Sequence, residues 1–91
     1  NPFPVAHTRI QGAGDDARIR VWSARSNSET VNKPLGSITK IDSSGLWIAC
    51  KEGQLILETL QLPGKKALNV GELLRGHPNL FSLGHQLELP C

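Results

Sequence analysis

Ninety-one residues make one small domain with no room for a second and only a modest core. A hydrophobic share of 38%, a charged share of 20% and a net charge of +2 describe a globular chain, and this mild basicity permits a nucleic-acid partner without demanding one. No apolar run nears the length of a membrane span, and two cysteines, Cys50 and Cys91, are too few for a disulfide framework. A reduced, cytoplasmic setting is therefore expected, with Cys50 as a small buried hydrophobe. The opening Asn1-Pro2-Phe3-Pro4 has no basic start and no apolar block, so it does not read as a signal peptide. The sequence contains no Met and reads as a piece of a longer protein. Nine Gly and six Pro predict many turns and short strands.

In chain order, Pro2 and Pro4 hold their predecessors extended, and Phe3, Val5 and His7 are candidates to pack under a sheet. Thr8 to Gln11 starts a strand, and Gly12-Ala13-Gly14-Asp15-Asp16 is a turn. Arg18 to Arg25, RIRVWSAR, is a strand. Its alternation puts Ile19, Val21 and Ser23 on one face and Arg18, Arg20, Trp22 and Ala24 on the other. Ser26 to Leu35 is polar and without period, a surface loop closed by Pro34 and Gly36. Ser37 to Asp42, Leu46 to Cys50 and Gln54 to Leu60 form a meander joined by turns at Ser43-Ser44-Gly45 and Lys51-Glu52-Gly53. Pro63-Gly64-Lys65-Lys66 is a turn bearing two adjacent cations. Asn69 is the N-cap of a short helix, with Glu72 three residues on in a relative of the capping box. Val70, Leu73 and Leu74 share its apolar face, and Gly76 ends it before Pro78. Gln86 to Leu89 alternates as a final strand. Turn signals at such short intervals predict a small, mainly all-β barrel or sandwich with one short helix.

The residues argue against catalysis by this chain alone. His7, His77 and His85 have no metal-ligand spacing with another His or Cys, and CxxC, GxSxG, P-loop and GxGxxG motifs are missing. Gly12-Ala13-Gly14 leads into two aspartates, which repel a phosphate. Asp42, Glu52, Glu58, Glu72 and Glu88 are scattered rather than paired for acid–base work. Binding is the stronger reading. Arg18 and Arg20 flank Trp22 on one predicted face, Lys65 and Lys66 stand in a turn before a helix, and Arg25, Lys33 and Lys40 lie at strand ends or in the long loop. Cations beside an aromatic supply both phosphate attraction and a stacking surface. Trp22 packed under a loop is the competing arrangement. Trp47 and Phe81 lack basic company, and Trp47, between Leu46 and Ile48, reads as a core or domain contact.

Several segments, in order along nearly the whole chain, resemble the C-terminal domain of methionyl-tRNA formyltransferases. Asn1-Pro2-Phe3-Pro4-Val5 is similar to that family's NPWP-type lead-in, and Ile19-Arg20-Val21-Trp22-Ser23-Ala24 to its first long strand. Pro34-Leu35-Gly36-Ser37-Ile38 stands at a proline-glycine turn, with Leu35 inserted where the family usually has Pro directly before Gly. Gly45 to Gly53 matches a glycine, apolar strand and charged-glycine pattern. Leu60-Gln61-Leu62-Pro63-Gly64-Lys65-Lys66-Ala67 looks like the LQ-x-x-GKK-x motif, and Glu72-Leu73-Leu74-Arg75-Gly76 and Gly84-His85-Gln86-Leu87 complete the likeness.

The resemblance implies a five-stranded open Greek-key barrel of oligonucleotide-binding type over residues 1–91, a monomer that binds initiator methionyl-tRNA. It also implies that formyl transfer from 10-formyltetrahydrofolate, the co-substrate, takes place on a preceding Rossmann-like catalytic domain, which no segment here matches. No cofactor is expected on this domain, no membrane contact, and no catalysis by the fragment. The tRNA-binding set implied is Arg18, Arg20, Arg25, Lys33, Lys40, Lys65, Lys66 and Arg75. Two other readings stay open. One is the barrel domain of a related folate-dependent formyltransferase or hydrolase acting on a small molecule; the other is a purely structural or protein-interaction barrel. The Gly64-Lys65-Lys66-Ala67 segment favours the first reading.

Overall fold

A computed structural model of the chain describes residues 6–8 and 18–87. The predicted lead-in over residues 1–5, the continuation of the first strand past Thr8 and the turn at 12–16 lie outside the described residues. Among the described residues six strands and one helix follow in order: β1 (Ala6–Thr8), β2 (Ile19–Asn27), β3 (Ile38–Asp42), β4 (Gly45–Cys50), β5 (Gly53–Gln61), β6 (Leu68–Asn69) and α1 (Val70–Gly76).

The predicted meander forms as β3, β4 and β5. Short turns force the antiparallel pairing: Asp42 lies opposite Gly45, and Cys50 opposite Gly53. Asp42 fixes the first turn by accepting from the Ser44 and Gly45 N–H groups at 2.9 and 3.2 Å, the local bonding that places aspartate in turns. At the second turn Gly53 has φ 106, and a Cβ there would stand 2.1 Å from the Asn27 carbonyl oxygen. Only glycine lets the end of β2 close so tightly on the start of β5.

β5 is the strand on which the sheet is built. One of its edges pairs with β2 over nearly its whole length, the other with β4 and then β6, giving the order β1-β2-β5-β4-β3 with β6 beside β5. Three hairpin-connected strands, with β2 returning by the long 28–37 connection to lie beside β5, make a Greek key. The expected mainly-β domain is thus present as an antiparallel sheet with one short helix. Among the described residues β1 and β3 do not pair, so the barrel is not closed. The β3 edge is instead covered by the chain's last described turn. Ile38 N–H donates to the His85 carbonyl at 2.8 Å and Leu87 N–H to that of Gly36 at 2.8 Å. Of the predicted last strand, Gln86 bridges Ser37, while residues 88–89 lie outside the described part.

Ile19, Val21, Ile38, Leu46, Ile48, Leu57 and Leu60 form the sheet's share of the core, joined by Val70 and Leu73 of α1 and by Phe81 and Leu87. A seven-residue helix does not hold together in water alone. Burying Val70 and Leu73, each worth roughly 1.5–3 kcal/mol, supplies what propensity cannot. Its start is fixed as the sequence predicts. Glu72 N–H donates to Asn69 Oδ1 at 2.8 Å, and the Asn69 amide donates back to Glu72 Oε1 at 2.7 Å.

Candidate nucleic-acid interface

The first half of β2 obeys strict alternation. Ile19 and Val21 are buried while Arg18, Arg20 and Trp22 face out. Arg20 lies opposite Gln61, which brings the start of β2 to the end of β5 and the turn that follows. In that turn Lys65 N–H donates to the Leu62 carbonyl at 3.1 Å, with Pro63 and then Gly64 at φ 72 in the middle. These are the residues a type II turn demands, proline for a fixed negative φ and glycine for a positive one.

Gln61 ties the two pieces together. Its Oε1 accepts from Trp22 Nε1 at 2.8 Å, and its Nε2 donates to the Lys65 carbonyl at 2.7 Å. The Arg20 guanidinium lies over the Trp22 ring, 5.6 Å from its centre, within range of a cation–π attraction. The result is an open notch of about 290 Å³ lined by Arg18, Arg20, Gln61, Leu62, Pro63 and Gly64, with exposed Lys65 and Lys66 beyond it. Among the described residues no carboxylate lies within ion-pair distance of Arg18, Arg20, Lys65 or Lys66. Trp22 is not buried: the residue is 39% exposed.

A second cation–indole cluster stands further along the sheet. Lys40, Trp47, Ile56 and Arg25 are successive cross-strand neighbours on β3, β4, β5 and β2. Lys40 Nζ is 4.7 Å and the Arg25 guanidinium 5.6 Å from the Trp47 ring centre. Trp47 therefore has the basic company that its sequence neighbours gave no sign of. Both cations here are already paired, Arg25 with Glu58 at 3.1 Å and Lys40 with Asp42 at 3.4 Å. Asp42 is held firmly as a carboxylate. The Ser44 hydroxyl donates to it, which burial partly opposes, and the Ser44 N–H, Trp47 Nε1 and Lys40 add to the effect, so its pKa falls from 3.8 to about 2.

Ala24 does not share a face with Arg18, Arg20 and Trp22 but is buried at 6% exposure. Register shifts on either side of Ser23 turn the strand over, as bulges do. Cys50 is half-buried rather than fully buried. Lys33 is exposed in the loop after β2 and Arg75 in the last turn of α1, and neither side chain joins either cation–indole cluster. Phe81 is a core residue. Among the described residues no group of three or more His, Cys, Asp and Glu is arranged to hold a metal ion. His77 and His85 serve through their backbones, as helix cap and as strand partner. The residue that sequence reasoning missed is Gln61. Its place in the LQ-x-x-GKK segment marked it, but its role depends on the β2 register.

Fold and site together define a small Greek-key β-domain with a basic, indole-bearing end. Over residues 1–78 the chain matches the formyl transferase, C-terminal domain family, and it belongs to that family. It is 42% identical over 89 residues to a methionyl-tRNA formyltransferase of Alcanivorax borkumensis, covering 96% of this chain and 26% of the relative. It is 40% identical over 88 residues to one of Colwellia psychrerythraea, covering 96% and 27%. The chain thus spans about a quarter of the length of these curated relatives.

Proposed function

We propose that this chain is the C-terminal domain of a methionyl-tRNA formyltransferase acting in translation initiation in the cytoplasm. It holds initiator methionyl-tRNA while a separate catalytic domain moves the formyl group from 10-formyltetrahydrofolate to the methionyl amine. The name borne by the relatives supports the substrate. The observation that carries the binding role is the meeting of Arg18 and Arg20 with Leu62, Pro63 and Gly64 in one notch, without a carboxylate in ion-pair distance of either arginine among the described residues.

Gripping the limb of a folded RNA takes phosphate contacts and little base reading. Dispersed Arg and Lys meet that need, and their contacts weaken steeply as salt rises. Arg18, Arg20, Lys65 and Lys66 are the principal cations of this grip. Arg25 and Lys40 contribute less because Glu58 and Asp42 already neutralise them, and Lys33 and Arg75 act, if the RNA reaches them, as isolated point charges.

Two measurements test the reading. In a filter-binding titration at low salt the chain retains tRNA, and the Arg18→Ala, Arg20→Ala, Lys65→Ala, Lys66→Ala quadruple variant does not. Equal retention by both removes the notch from the binding surface. Mixed with methionyl-tRNA and the folate donor, the chain alone forms no formyl-methionyl product. Product formation by the purified chain would overturn the division of labour.

A further inference from the structure

Whether the notch merely adds to a diffuse positive surface or reads a defined ligand is decided by its walls. Gln61 is engaged at both ends of its carboxamide: the oxygen accepts from Trp22 and the amide donates to the Lys65 carbonyl. The charged side chains of the lining are the two guanidiniums of Arg18 and Arg20, which donate and cannot accept. Such a lining suits an anion, and a planar guanidinium grips phosphate oxygens in pairs. The rest of the lining, Leu62 and Pro63, is apolar and suits a flat or carbon-rich group beside the phosphate. Gly64 adds no obstruction, since a Cβ there would meet nothing within 4 Å. The volume of about 290 Å³ sits at the small end of ligand clefts and fits one unit of a polymer better than a whole cofactor.

We propose that this notch takes a single unpaired nucleotide of the RNA, with its phosphate between Arg18 and Arg20 and its base or ribose on Leu62 and Pro63. The inference rests on the tRNA-binding reading and sharpens it: one nucleotide is held outside any helix, where the limb grip needs only backbone. A base stacked in a duplex presents its edge, not its face, to a protein. An unstacked one offers a flat surface for apolar contact. The Gln61 clamp is what separates a built notch from loose surface charge. It carries no charge of its own, yet it fixes both the indole beside Arg20 and the turn that forms the opposite wall.

The test compares a labelled single-stranded oligouridylate with an RNA duplex of equal strand length, by fluorescence anisotropy with the 91-residue chain at low salt. The single strand binds more tightly than the duplex, and Arg18→Ala or Arg20→Ala each weakens it about tenfold, the size of a lost charge-assisted bond. Gln61→Leu weakens the single strand by several-fold and bulk tRNA to a smaller extent, with duplex binding unchanged, and Gln61→Glu, which keeps only the acceptor, does not restore it. Circular dichroism establishes that each variant is folded, and Leu62→Ala gives a second, charge-neutral probe of the apolar floor. Equal binding of single strand and duplex, or a neutral Gln61→Leu and Leu62→Ala, overturns the notch while tRNA retention keeps the broader function standing. Loss of all tRNA binding by the unaltered chain overturns both.

Discussion

The two cation–indole clusters differ in one respect that salt titration measures directly. Arg18, Arg20, Lys65 and Lys66 have no carboxylate partner among the described residues, whereas Arg25 and Lys40 are paired with Glu58 and Asp42. A cation that displaces a counterion from RNA adds about −0.9 to the slope of log affinity against log salt. One already neutralised by its own carboxylate adds almost nothing. Four contacting cations give a slope near −3.6, so raising salt from about 50 to about 200 mM costs about 150-fold in affinity. Removing Lys65 and Lys66 together halves the slope and cuts that loss to about 12-fold. Arg25→Ala with Lys40→Ala leaves the slope within about 0.5 of the unaltered chain. Fluorescence anisotropy with labelled tRNA over a salt series reads all three proteins. If the Arg25/Lys40 variant flattens the slope as much as the Lys65/Lys66 variant does, the carboxylates do not shield their partners and the ranking of the two clusters is wrong.

Other expectations concern stability. Asn69→Ala removes both halves of the reciprocal cap at α1 and lowers unfolding free energy by about 1 kcal/mol, read by urea denaturation. Leu57→Ala empties a site of zero exposure and costs about 2–5 kcal/mol in the same assay. Gly53→Ala drives a Cβ to within 2.1 Å of the Asn27 oxygen, while Gly64→Ala meets nothing within 4 Å. Both are strained by positive φ, but only the first prevents the β2–β5 closure, and comparison of their melting temperatures shows Gly53→Ala far lower. The Asp42 pKa is depressed in the fold, so its stabilisation is complete above the ordinary carboxylate range near 3.8 and is lost as pH falls toward about 2. Asp42→Asn flattens the acid limb of a stability–pH curve between those values and leaves its shape near neutrality unchanged.

What the sequence made legible was local. Pro63-Gly64 marks its turn because the φ values it needs belong to those residues, and Asn69 with Glu72 marks a helix start because both partners lie within one turn. The alternation of Arg18 to Trp22 placed three side chains on the outer face correctly, and Val70, Leu73 and the β3–β5 meander followed from period alone. The failures at Ala24 and Trp47 are cross-strand. Ala24 is buried because β2 bulges against Thr59, and no residue near Ala24 announces a partner so far along the chain. Trp47 looked isolated between Leu46 and Ile48, yet its cations come from the strands beside it, Lys40 on β3 and Arg25 across β5.

Gln61 belongs to both categories. Its position in the segment was visible, but the bond from Trp22 exists only because Arg20 and Gln61 are in register. A one-residue slip of β2 would turn Arg20 and Trp22 inward and Val21 outward, exchanging two apolar core residues for a guanidinium and an indole. The buried Ile19 and Val21 therefore fix the register, and the register in turn assembles the notch. The binding end of this domain is specified as much by the apolar residues on the hidden face of β2 as by the cations that face solvent.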